Sequence, residues 1–276
     1  KVSRAIHSLS LMANSFPVPL RVSAVQCSIH WNDVSANLQL IESLIRDHAA
    51  TSDLIVFPET ITTGFSSEAA KLADREQGEV YQTLLRLSHE YNVALAGSYL
   101  SEVKGVIHNL FFLIEPDGKV QLQAKRHLFA PGGEKEFVSS ATSRSIFTFK
   151  GWHILPIICY DLRFPVWCRN VSNEYDLIIT VANWPRPRRE VFRTLLRARA
   201  MENLSYVIGV NRVGEDPNRL VYSGDSVIID PRGKALVEAE EGADTVITAT
   251  LDYGPLQDLR QKFPVWADAD PFLLQI

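Results

Sequence analysis

From about Leu20 onward, apolar positions recur at two alternating periods along the chain. "LRVSAVQCSI" alternates well enough to predict a strand, and "NDVSANLQLIESLIRDHAA" places Val34, Leu38, Ile41 and Ile45 at helical spacing. "SDLIVFPET" reads as a short buried strand that ends at Pro58 and Glu59. A helix over "EVYQTLLRLSHEYN" and a strand over "VALAGSYL" complete a β-α-β-α-β order. "GVIHNLFFLIEPDGKVQLQAKRHL" then supplies two strands around the turn residues PDGK, with Phe111 and Phe112 as sheet-core residues. The strand "HILPIIC" is followed by a helix over "PVWCRNVSNEY" and a strand over "DLIITVAN".

The second half repeats the grammar. "RREVFRTLLRARAMENL" predicts a helix, "SYVIGVNRV" and "DSVIID" predict strands, and "DPRGKA" predicts a hairpin turn. "LVEAEEGADTVITATLD" adds a charged, edge-like segment and a last strand. No Gly/Ser linker or low-complexity tract divides the chain. The pattern therefore predicts one α/β domain over residues 20–276, with a large double-sheet core, helices over its outer faces and functional loops at strand ends.

Composition narrows the function classes. Among 276 residues, 46% are hydrophobic and 22% charged, as in an ordinary globular protein. The formal charge of −4 speaks against nonspecific nucleic-acid binding, which needs a basic excess. Apolar runs reach roughly eight residues, well short of a membrane span. Cys27, Cys159 and Cys168 are too few and too scattered for a disulfide framework, which suits a reduced, cytoplasmic setting. There is no CxxC or HExxH, so no metal or other cofactor is expected. Residues 1–19 read as an N-terminal extension: "KVSRAIHSLSLMANSFPVPLR" is basic without an acid, and Asp33 is the first acidic residue. An organelle-targeting remnant and a residue of expression or processing both fit that stretch, so an organellar setting is the alternative.

The candidate chemistry lies where apolar runs stop. "HILPIICYDLRFPVW" ends a buried strand in Cys159, a residue that alone reads more readily as core filling than as a nucleophile. "LIVFPET" and "LQAKRHLF" do the same for Glu59 and Lys125, which alone read as a helix cap and a surface charge. Together they offer a thiol, a base and a cation. The serine elbow GxSxG is absent, and "PGGE" at 131–134 is too short for a phosphate loop.

These motifs resemble those of the nitrilase superfamily of carbon-nitrogen hydrolases, over the stretch from "RVSAVQCSIHWNDVSANL" to "DSVIIDPRGKAL". Glu59 in "FPET", Lys125 in "KRHLF" and Cys159 in "ICYDLRFP" match the family's Glu-Lys-Cys triad, and Glu134 in "GGEKEF" matches its supporting glutamate. "VANWP" and "RARAMEN" add family character. The resemblance implies a four-layer α-β-β-α sandwich that commonly assembles as a homodimer. Within the family, "KRHLF", "GGE", "ICYDLRFP" and "NWP" look most similar to omega-amidases, which hydrolyse the terminal amide of short 2-oxo dicarboxylic acid monoamides to the dicarboxylate and ammonia.

On that resemblance, Cys159 is the nucleophile, Glu59 the proton carrier, and Lys125 with the Tyr160 backbone N–H the oxyanion stabiliser. Glu134 orients Lys125 or a substrate nitrogen. Arg163, Asn183 and Trp184 are expected substrate contacts, although Arg163 could equally form an ion pair with Asp161. Arg186, Arg188 and Arg189 form a charge run that reads as a solvated face or as an anion-recruiting rim. Cys27 and Cys168 read as packing residues. Another amidase, a carbamoylase, a nitrilase and a noncatalytic binding or scaffold protein are the alternatives.

Overall fold

The computed structural model describes residues 17–273, so the expected N-terminal extension over 1–19 falls almost wholly outside the described residues. In chain order the first half runs β1 (Leu20–Gln26), α1 (Val34–His48), β2 (Leu54–Val56), β3 (Asp74–Arg75), α2 (Glu79–Tyr91), β4 (Ala94–Val103), β5 (Val106–Ile114) and β6 (Val120–Ala124). The second runs β7 (Phe147–Phe149), β8 (Trp152–Ile158), α3 (Pro165–Cys168), β9 (Leu177–Ala182), α4 (Arg189–Asn203) and β10 (Tyr206–Asn211). It closes with β11 (Val213–Glu215), β12 (Val221–Ser223), β13 (Val227–Ile229), β14 (Ala235–Glu238), β15 (Thr245–Leu251) and α5 (Tyr253–Lys262).

One sheet has the order β15-β1-β2-β4-β5-β6, with β3 beside β4, and the other has the order β14-β13-β10-β9-β8-β7. Their inner faces share one core, in which Val22, Val56, Ala96 and Phe111 meet Ile154, Ile179, Ile208 and Ile228. The outer face of the first sheet is covered by α1 and α2 through Ile41, Ile45, Leu84 and Leu87. The outer face of the second is covered by α3 and α4 through Trp167, Phe192 and Leu196. The result is the four-layer α-β-β-α sandwich. Parallel central strands, β1-β2-β4 and β8-β9-β10, are buried on both faces, which is why they read as continuous apolar runs.

Two local expectations need correction. The helix over "PVWCRNVSNEY" stops at Cys168 after a single turn. Arg169 is extended, Asn170 uses its amide to donate to the carbonyls of Tyr175 and Asn203, and Ser172 and Asn173 take positive φ. Short polar side chains that bond the backbone locally compete with helix, and here they win. The strand over "SYVIGVNRV" breaks at Arg212, where β10 ends and β11 leaves to form a hairpin with β12.

Candidate active site

The carboxyl ends of β2, β6, β8 and β9 meet at one edge of the sandwich, where the two sheets adjoin. β2 and β6 belong to one sheet, and β8 and β9 to the other. Three residues past β2, Glu59 is fully buried. Its Oε1 accepts from Lys125 Nζ at 2.8 Å and from Asn109 Nδ2 at 2.9 Å. Its Oε2 accepts from the Asn183 backbone N–H at 2.8 Å and from Asn183 Nδ2 at 3.3 Å. Four donors from β5, β6 and the end of β9 thus fix the carboxylate across the seam. The next residue, Thr60, has φ 44°, a conformation strongly disfavoured for a β-branched side chain. It is held by a bond from its N–H to Ser98 Oγ at 2.9 Å and by Asn183 Nδ2, which donates to its hydroxyl at 3.0 Å.

Lys125 follows β6 directly and is also fully buried. Its ammonium lies 2.8 Å from Glu59 Oε1 and 2.9 Å from each oxygen of Glu134. Glu134 enters from a loop whose Gly133 takes φ 72°, and its Oε2 accepts the Phe129 backbone N–H at 2.6 Å. Burial opposes the charge on Lys125, but Glu59 and Glu134 outweigh it and hold the ammonium's pKa above its ordinary value. Burial lifts the pKa of Glu134 above the usual carboxylate range; Lys125 opposes that shift and the Glu59 charge adds to it. The cluster is one buried cation between two buried carboxylates.

Cys159 ends the apolar run of β8 and opens a 3₁₀ turn over Cys159–Arg163. Its φ of 45° is left-handed, a strain of about 1–3 kcal/mol that lifts the thiol out of the strand's side-chain alternation. Asp161 stabilises this elbow. One of its oxygens accepts the His127 backbone N–H at 2.7 Å and lies 2.7 Å from His127 Nδ1, while the other accepts the Ile158 N–H at 3.3 Å. Asp161 therefore ties the Cys159 turn to the segment carrying Lys125, and the Asp161–Arg163 pair, the alternative reading of Arg163, does not form. Burial, with the neighbouring charge of Glu59, pushes the Cys159 thiol well above its ordinary pKa, although Lys125 pulls it back. The thiol is accordingly protonated at neutral pH and lies 3.9 Å from the Asn183 carbonyl oxygen.

A cavity of about 600 Å³ opens over these groups, with Glu59, Lys125, Cys159, Tyr160, Arg163, Asn183 and Trp184 in its wall. Glu134 sits behind the wall and reaches the site through Lys125. Asn183 lines the cavity while its amide group is spent on Glu59 and Thr60, and its Oδ1 has no partner among the described residues. The Trp184 ring lies under Arg163, whose guanidinium carbon is 5.0 Å from its centroid. Its indole N–H donates to the Arg188 carbonyl at 2.7 Å and its backbone N–H to Asn211 Oδ1 at 2.7 Å, so Trp184 is wall and scaffold at once.

Sequence reasoning did not single out Asn109, although a polar residue inside "IHNLFFLI" is a usable signal. Nor did it find the rim hairpin, where Asp216 accepts from the backbone of Asn218 and Leu220 and from the Tyr222 hydroxyl. Among the described residues, no group of three His, Cys, Asp or Glu side chains could hold a metal ion.

A thiol on a strained elbow, a buried carboxylate and a buried ammonium at the seam of an α-β-β-α sandwich define a cysteine-dependent hydrolase class. The carbon-nitrogen hydrolase family model matches residues 21–261, and the chain belongs to that family. It is 41% identical to the omega-amidase YafV of Escherichia coli, over 92% of this chain and 98% of that one. It is 30% identical to a 2-oxoglutaramate amidase of Bacillus subtilis, over 90% of this chain and 96% of the relative. Its fold superposes with a TM-score of 0.90 on the CN-hydrolase superfamily protein XC1258 of Xanthomonas campestris, which carries an arsenic adduct in its active site. That pair shares 40% identity, over 93% and 99% of the two chains.

Proposed function

We propose that this protein is an omega-amidase that hydrolyses the terminal amide of short 2-oxo dicarboxylic acid monoamides through a thioester on Cys159. The observation that carries the reading is the juxtaposition of Glu59, Lys125 and Cys159 beneath a cavity that also holds Arg163, a cation with no carboxylate within ion-pair distance among the described residues. The similarity to an omega-amidase and to a 2-oxoglutaramate amidase supports the same substrate class.

The chemistry follows from the charges. The Cys159 thiol holds its proton, so attack on the amide carbonyl requires a base, and Glu59 takes that proton as the S–C bond forms. The oxygen becomes an oxyanion, stabilised by the Lys125 charge and the Tyr160 N–H. The Lys125 ammonium has three hydrogens and three carboxylate oxygens within 2.9 Å, so a direct bond to the oxyanion displaces one Glu134 contact. As the tetrahedral species collapses, Glu59 returns its proton to the nitrogen, the C–N bond breaks and ammonia leaves. Water then loses a proton to Glu59 and attacks the thioester; the C–S bond breaks, the carboxylic acid leaves, and Glu59 returns the proton to the Cys159 sulfur. Arg163 meets the distant carboxylate in a charge-assisted bond.

The domain over residues 20–276 serves this one activity as a unit. Exposed Val166, Val171 and Met201 on the α3–α4 side support a homodimer built over those helices. A catalytic free thiol favours a reducing, cytoplasmic setting. The test is a panel of 2-oxoglutaramate, a matched neutral amide, a nitrile and an N-carbamoyl amino acid, with ammonia and acid both measured. The highest kcat/KM is expected for 2-oxoglutaramate; preference for any other member overturns the substrate assignment, and no turnover at all favours a noncatalytic binding protein.

A further inference from the structure

The arginines that follow Pro185 do not share one role. Arg186 pairs with Glu241, and Arg189 pairs with Asp225 and Glu241, so both are neutralised. Arg188 between them lines the cavity, and among the described residues no carboxylate lies within ion-pair distance of it. Its guanidinium carbon is 5.2 Å from the centroid of the Phe129 ring. That ring is fixed in turn: the Phe129 N–H bonds Glu134, and its edge meets Tyr160 at 5.2 Å between centroids. The Arg188 carbonyl is held by the Trp184 indole, and the face of that same indole carries Arg163. Two unneutralised guanidinium groups, each laid on an aromatic face, therefore share one cavity. A ring that covers one face of a guanidinium leaves its N–H edge free for a planar acceptor.

The carboxylates of the same wall do not cancel this charge. Glu59 is held by Lys125, which it shares with Glu134, and by three further N–H donors of Asn109 and Asn183, and Asp216 is taken up by two backbone N–H groups and the Tyr222 hydroxyl. Glu68, also at the mouth, is exposed, where water screens it.

We propose that Arg188 is a specificity residue that reads the second carbon of the substrate, accepting a 2-oxo group and excluding a 2-ammonio group. This deepens the omega-amidase reading and rests on it. 2-Oxoglutaramate and glutamine have the same carboxylate, the same length and the same terminal amide. They differ where one presents a carbonyl oxygen and the other a cation. Arg163 alone meets the carboxylate of both and cannot separate them. A second guanidinium donates to the carbonyl oxygen and repels the ammonium, so the pair of arginines discriminates by attraction and repulsion together.

The test compares wild type with Arg188→Met and Arg188→Lys on 2-oxoglutaramate, glutaramate, which has no group at the second carbon, and glutamine. In Arg188→Met the kcat/KM ratio of 2-oxoglutaramate to glutaramate is expected to fall about tenfold or more, the loss of one charge-assisted hydrogen bond. The ratio of glutamine to glutaramate should rise in the same variant. Arg188→Lys keeps the cation, so it should still exclude glutamine while losing part of the preference for the 2-oxo group. Both ratios unchanged in Arg188→Met, with melting temperature preserved, overturn the inference and leave the omega-amidase reading intact. Wild-type turnover of none of the three, with turnover of another amide, overturns that reading and this inference with it.

Discussion

Replacement of Lys125 by alanine should destabilise the protein far more at alkaline than at acid pH. Lys125 and Glu59 are wholly inaccessible to solvent and Glu134 is 1% exposed, so truncation leaves two carboxylates buried together without a cation. Removal of one partner from a buried ion pair costs about 3–5 kcal/mol, and here one ammonium serves two carboxylates, which argues for the upper end. For a chain of this size that corresponds to a fall of about 6–20 °C in Tm. The sign of the pH dependence follows from Glu134. Its folded pKa is already above the ordinary carboxylate value, with burial as the main cause and Lys125 as the principal opposing influence. Loss of Lys125 raises it further.

A carboxyl group that binds its proton more tightly when folded than unfolded favours the folded state increasingly as pH falls. The deficit of Lys125→Ala should therefore be complete above the raised folded pKa and shrink toward the ordinary carboxylate range of about pH 4.3. Calorimetric melts of both proteins from pH 5 to pH 9 measure this directly. A Tm difference below about 3 °C at pH 8, or one of equal size across the range, would refute the argument from a buried three-charge cluster. A triple variant, Lys125→Met with Glu59→Gln and Glu134→Gln, removes every charge and should recover part of the lost stability.

Cys159→Ala should abolish turnover with the melting temperature nearly unchanged, and wild type quenched early should show a substrate-sized acyl adduct on Cys159 by denaturing mass spectrometry; residual full activity in the variant sinks the thioester. Glu59→Gln keeps the side chain's shape but cannot carry the proton, and kcat should fall by about 10²–10⁴. Because burial and Glu59 push the Cys159 thiol upward, its iodoacetamide labelling should still be accelerating above the ordinary thiol range of about pH 8.5. A labelling rate that levels off near neutrality would contradict that direction. Cys27, buried and pushed up to about 12, should stay unlabelled in the same experiment until the protein unfolds.

The groups that do the chemistry were legible because each terminates a buried run. An apolar strand that ends in a glutamate, a lysine or a cysteine states its own boundary, and a rigid strand end is where a side chain can be held toward a ligand. What lay hidden is set by contacts between distant segments. The sequence period cannot say that β15 returns to pair with β1, from Leu20 against Leu251 to Gln26 against Thr245. Nor can it sort Arg186, Arg188 and Arg189, because the carboxylates that neutralise two of them, Asp225 and Glu241, lie 36 and 52 residues beyond Arg189 in the sequence. Asp161 has Arg163 two residues away, yet it bonds His127 across 34 positions. Proximity along the chain was the wrong guide there, since the 3₁₀ turn directs Asp161 inward while Arg163 lies on Trp184. The helix that stops at Cys168 shows the opposite case, in which local side-chain bonds at Asn170 override an apolar pattern.

The division of the site between two sheets has its own consequence. Glu59, Asn109 and Lys125 belong to one sheet, and Cys159 and Asn183 to the other, so neither sheet contains a complete reaction centre. The distance from thiol to base is therefore set by packing between inner faces, where Phe111 of β5 meets Phe147 of β7 edge to face at 6.0 Å. Asn183 is the direct bridge at the site itself, since it follows β9 directly and donates to Glu59 from both its backbone and its side chain. A displacement of about 1 Å between reacting groups can cost 10²-fold in rate. The apolar, close-packed core between the sheets is thus part of the catalytic geometry: it stabilises the fold and, through the Glu59–Asn183 contact, holds the two halves of the reaction centre in register.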